Sequence, residues 1–152
     1  MNGITKRYSD LERAIDEVRA LLDRWSGRQG GAGEPVPDPQ ALRYAQLILH
    51  EWLANLLQHA RFEERTPDVR IRVRTDGAGL TGWVTDNSTG FDLAERLRQQ
   101  QSRSPSLPER GMGLRIIRAC AADFSYRQDE NGRYRFTFSI PADHDPWLST
   151  LF

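Results

Sequence analysis

Glu51, Asn55 and His59 recur at four-residue intervals within the stretch LILHEWLANLLQHA. On a helix that spacing makes them one stripe, a turn apart each time. At roughly 100° per residue the stripe slants from the polar edge into the apolar face and brings His59 between Ile48 and Trp52. An amide oxygen held this way can ligate Mg²⁺, and a carboxylate one turn off can orient or deprotonate a hydroxyl. The same residues would also serve simply to solvate a helix edge, and a histidine among apolar neighbours is more often structural than catalytic. Asp86 ends an alternating stretch and can accept a hydrogen bond from an exocyclic amine, as on adenine. Gly90 lets the backbone approach a flat ring. Gly111-Met112-Gly113 leads into a helical run, where free N–H groups and the helix dipole attract phosphate. Taken singly, each of these boxes is weak.

The helix bearing Glu51 and Asn55 is expected to start near Gln40, after Pro35, Pro37 and Pro39, and to end near Phe62. Leu42, Ala45, Ile48, Leu49, Trp52, Leu53, Leu56 and Ala60 form its apolar face, with Arg43, Gln46, His50 and Arg61 on the wet side. Ahead of it, residues 4–8 read as a short strand, and Ser9-Asp10-Leu11-Glu12 has the capping-box pattern of a helix start. Leu11, Ala14, Ile15, Val18, Leu21, Leu22 and Trp25 keep helical rhythm to about Ser26. The Gly- and Pro-rich residues 27–39 form a loop. Val69, Ile71 and Val73 alternate with Arg70, Arg72 and Arg74, so the arginines face outward, either toward an acidic partner or into solvent.

After a turn at residues 76–79, residues 80–85 return as a second strand that runs directly into Asp86. Residues 93–110 are polar and helical at most at their start, and Gly111-Met112-Gly113-Leu114 opens a helix to about Ala122. Phe124 and Tyr126 mark one strand, and Tyr134, Phe136, Phe138 and Ile140 another, joined through Asn131-Gly132. Two hairpins with one-sided strands predict an α+β fold, a two-layer α/β sandwich with helices on one face of a mixed, mostly antiparallel sheet.

The 152 residues suit a single domain, residues 1–152, with a real core. Lys+Arg 21 balances Asp+Glu 21, so no global field favours nucleic acid or an anionic membrane. One cysteine, Cys120, allows no internal disulfide and, with three histidines, no zinc cluster. No apolar run is long enough to span a membrane and the N-terminus has no signal-peptide core, so a cytoplasmic location is expected. The tail, Trp147 to Phe152, is apolar and is expected to dock on the core or meet a partner.

In order, these boxes resemble those of the Bergerat-fold GHKL ATPases. Glu51 and Asn55 resemble the N-box, Asp86 to Gly90 the first glycine box, and Gly111-Met112-Gly113-Leu114 the second. Within that superfamily the small size is similar to the anti-sigma-factor serine kinases, whose N-box helix commonly ends in a histidine placed as His59 is here. The resemblance spans residues 4–141. It implies that Asn55 ligates Mg²⁺ on the ATP phosphates and that Glu51 is general base toward a substrate serine. Asp86 would bind the adenine amine, Gly90 would line its pocket, and Met112, Gly113 and Leu114 would offer N–H groups to phosphate. Residues 93–110 would form the ATP lid.

The resemblance further implies a homodimer that sequesters a sigma factor and phosphorylates a STAS-type anti-sigma antagonist on serine, and so a role in transcription regulation. One position departs from it. Ser88 stands where the family has glycine; a positive φ there would cost a serine about 1–2 kcal/mol. Its side chain would either crowd adenine or donate a hydrogen bond. That departure leaves open a binding module with little catalysis, and a histidine-kinase-like ATPase component is a further alternative.

Overall fold

The computed structural model describes residues 2–27, 37–76, 79–101 and 112–143. Strand β1 (Asn2–Tyr8) leads into helix α1 (Leu11–Gly27), and helix α2 (Pro39–His59) follows. Strands β2 (Val69–Thr75) and β3 (Gly79–Asp86) form the first hairpin. Helices α3 (Leu93–Gln101) and α4 (Met112–Cys120) precede the second hairpin, β4 (Asp123–Gln128) and β5 (Tyr134–Pro141). The sheet order is β1-β2-β3-β5-β4, and every pairing among these strands is antiparallel, narrower than the mixed sheet expected.

Local chemistry sets the helix starts. Asp10, rather than Ser9, caps α1: its carboxylate accepts from Glu12 N at 3.0 Å, which a hydroxyl one residue earlier would not reach. Asp38 caps α2 by accepting from Ala41 N, and Pro39 occupies the first turn, where no N–H is needed. Helix α2 stops at His59, three residues short of the expected end, because Ala60 turns extended. Thr89 then donates both its N–H and its hydroxyl to the Arg61 carbonyl, fixing the chain as it leaves the helix.

The core lies between α2 and the sheet. Ala45, Ile48, Leu49, Trp52, Leu53 and Leu56 are buried against Val69, Ile71, Val73, Val84, Phe136 and Phe138. Alternate strand positions therefore carry the apolar layer, as the period of two in β2 requires. Helices α1 and α4 flank α2, and this arrangement carries Glu51 and Asn55 to the margin of the core. No helix among the described residues is long and apolar enough to cross a membrane.

Candidate functional site

Helix α2 holds Glu51 half-buried and Asn55 buried, one turn apart on rigid backbone. The first turn of α4 faces Glu51. Gly113 comes so close to Glu51 that a Cβ there would stand 2.8 Å from Glu51 Oε2, within the carboxylate's own space. A side chain at this position would make the Glu51 carboxylate shift from where it now stands. The Glu51 charge also reaches Cys120 at the far end of α4, whose thiol is pushed up to about 11, mainly by burial and then by that carboxylate. Asn55 Nδ2 is buried without a hydrogen-bond partner among the described residues, a costly state for an amide. An unpartnered amide N–H donor and a helix start fit phosphate oxygens, while the Asn55 carbonyl and the Glu51 carboxylate are oxygen donors of the kind Mg²⁺ takes.

The Asp86 loop is built residue by residue. Asp86, fully buried at the end of β3, accepts from Ser88 N (2.9 Å) and Ser88 Oγ on one oxygen and from Tyr126 OH (3.0 Å) on the other. Burial pushes its carboxyl upward, opposed by the bonds from Ser88 and Tyr126 and by the charge of Arg133. Asn87 pins the neighbouring loop, accepting from Asp68 N and donating to the Thr66 carbonyl. Ser88 Oγ also accepts from Gly90 N at 3.0 Å.

The positive φ of this loop falls at Gly90 (75°), and Ser88 is not among the residues with positive φ. Ser88 therefore pays no left-handed penalty: the feared strain is absent because the turn places its unusual dihedral two residues later. Gly90 packs flat on the Tyr134 ring, where any Cβ would collide. The ring it approaches belongs to the protein.

Aromatic side chains join the two halves. Trp52, between Glu51 and Asn55 in sequence, stacks on Phe136 at 4.0 Å and meets Tyr126 edge-on at 4.8 Å. Phe91 contacts both Trp52 and Tyr126. Through Trp52 and Tyr126 helix α2 is in contact with the residue that bonds Asp86. A carboxylate offers about four acceptor positions, so three bonds leave Asp86 one for an adenine amine. That position lies on the oxygen that also accepts from Tyr126, and the full burial of Asp86 encloses it.

Of the other expected residues, Leu114 is buried and Met112 opens α4, while Gly111, residues 102–110 of the lid and the apolar tail lie outside the described residues. His59 is half-buried and meets Arg96 of α3, with Arg96 Nη2 2.6 Å from His59 Nδ1. Tyr126, Asn87 and Thr89 were not singled out by the sequence; their roles arise from partners more than eighteen residues away.

The family model for histidine kinase-like ATPase domains matches residues 8–135. The chain belongs to that family. Its antiparallel sheet beneath a layer of helices is the histidine-kinase-like ATPase fold. Among solved structures, the catalytic domain of the histidine kinase ThkA, in a nucleotide-free form, is 16% identical with a TM-score of 0.49, the match covering 93% of this chain and 97% of that one. A search of curated proteins finds no match. Domains of this family bind ATP, typically with Mg²⁺.

Proposed function

We propose that this domain is an anti-sigma regulatory factor that transfers the ATP γ-phosphoryl group to a serine of a STAS-type antagonist protein. The observation that carries the reading is Glu51 held against Gly113 at the start of α4, one helical turn from the buried Asn55, whose Nδ2 has no hydrogen-bond partner among the described residues. In this reading Glu51 takes the serine proton and the start of α4 cradles phosphate. Asn55 would hold Mg²⁺, which when bound neutralises charge on the transferring group. Asp86 receives the adenine amine. Phosphoryl transfer asks mainly for positioning and electrostatics, which rigid helices supply.

The test is incubation with Mg-ATP and a cognate STAS partner, scored for phosphoserine. Transfer that Glu51→Ala abolishes, with ATP binding largely spared, supports the assignment. Bound ATP with no phosphoserine on the partner removes it. The full burial of Asp86 favours a second reading, a partner-binding module that uses nucleotide weakly or not at all. Calorimetry separates the two, since such a module gives no Mg²⁺-dependent heat with ATP.

A further inference from the structure

The sheet face turned away from the helical core carries charge in an arrangement that stability alone does not favour. Across the strands Arg7 stands directly opposite Arg70, Arg70 opposite Thr85, Thr85 opposite Arg135, and Arg135 opposite Arg127. Four of the five positions in this row are arginine, and two neighbouring pairs are arginine against arginine. Like charges directly opposed on one face destabilise a sheet. The next row sets Arg72 beside Trp83, with the guanidinium 5.6 Å from the ring centroid. Arg70, Arg72, Arg133 and Arg135 surround Trp83 and Thr85 in an open depression of about 360 Å³.

The acids nearby are already engaged. Asp68 chelates Arg7 with both oxygens at 2.6 Å and accepts from Arg133 at 2.9 Å. Asp129 accepts from Asn131 N and Arg133 N within its own hairpin and lies 4.0 Å from Arg135. Among the described residues, no carboxylate pairs with Arg70, Arg72 or Arg127.

We infer that this face docks an acidic segment of a protein partner, with Arg70, Arg72 and Arg135 as the guanidinium forks that receive its carboxylates. This surface lies on the face of the sheet opposite the helices that carry Glu51 and Asn55, and of its arginines Arg133 is the one whose charge acts on Asp86. At about 4.8 Å per strand the arginine row spans roughly 19 Å, room for a short extended or helical run of Asp and Glu. A carboxylate landing between opposed arginines turns two repulsions into attractions, and planar forks suit it. Single-stranded nucleic acid fits less well. The chain has equal numbers of acidic and basic residues, Asp68 and Asp129 border the arginines, and the Trp83 ring that would stack a base already carries Arg72.

The test uses the full chain and fluorescence anisotropy with a labelled polyglutamate peptide of about ten residues, beside an oligothymidylate of similar length. Polyglutamate should bind and should weaken as salt rises. The pair Arg70→Glu with Arg135→Glu should weaken it by about tenfold or more, while Arg43→Glu on α2, an equal charge change per site, should not. The pair should also melt close to wild type, because each substitution replaces an opposed like-charge pair by an attractive one, offset at position 135 by the loss of the 4.0 Å approach to Asp129. If it melts lower, the single change Arg72→Gln, which leaves both opposed pairs intact, must still weaken polyglutamate severalfold. No binding of polyglutamate, unchanged binding in these variants, or tighter binding of oligothymidylate would each overturn the assignment.

Discussion

At the scale of single residues, the site turns on how Asp86 is satisfied. Tyr126 OH occupies one of its oxygens, and burial holds the phenol's own pKa well above the usual tyrosine value, so it stays a donor. Tyr126→Phe should therefore leave that oxygen wholly open to an adenine amine, two acceptor positions in place of one. Nucleotide affinity should rise, while the fold loses about 1 kcal/mol for the missing hydrogen bond. Calorimetry with ADP, read beside a melting curve, checks both, and unchanged affinity would show that Tyr126 does not stand in the purine's way. Ser88→Gly removes a bond to Asp86 and one to Gly90 N while relieving no strain, so it should lower the melting point. The sequence pointed to Asp86, Ser88 and Gly90 by type and spacing. It did not disclose Tyr126, because a tyrosine on an alternating strand reads as packing until the register brings its hydroxyl to a carboxylate forty residues away.

At the scale of elements, the periodic pattern of α2 was legible because burial follows it: all the expected apolar positions up to Leu56 are buried. Its end was not, since no Gly or Pro marks it and the capture of Arg61 by Thr89 is a tertiary contact. The same end of α2 anchors α3. Arg96 reaches His59, and the Asp92 carboxylate caps the helix by accepting from Glu95 N. Helix α3 packs Leu93 and Leu97 at the core margin and otherwise touches the remaining elements sparingly, so this link should matter to its docking. Arg96→Ala should speed amide exchange through α3 by roughly tenfold and leave the interior of α2 unchanged, since regions with few apolar contacts open locally. Hydrogen-exchange mass spectrometry resolves the two helices, and equal protection of α3 in the variant would mean that packing alone holds it.

At the scale of the whole molecule, the hairpins could be read from turn residues, whereas the strand order β1-β2-β3-β5-β4 depends on which strand is most deeply buried. Phe136, Phe138 and Ile140 draw β5 beside β3, and the half-buried β4 takes the edge. Two acids then give the folded chain opposite responses to pH. Asp68 joins β1 to the second hairpin through Arg7 and Arg133, and those bonds, Arg7 first, hold its carboxyl well below the usual range despite some desolvation. A carboxyl lowered by folding stabilises above its unfolded value, near 3.9, and the gain is lost as pH falls through the folded value. Asp86 is raised by burial, so its ionisation opposes folding: its contribution is most favourable in acid and is lost as pH rises through the folded value. Asp68→Asn should therefore melt below wild type at pH 7, with the gap closing under acid. Asp86→Asn, which keeps an acceptor for Ser88, should recover stability relative to wild type as pH rises toward 8. Melting points of the three proteins between pH 1.5 and 8 test both slopes, the Asp68 gap narrowing only below about pH 4. A gap at Asp68 that persists in acid would mean that the side chain acts by shape rather than by charge, and the clamp joining the sheet's strands would have to be sought elsewhere.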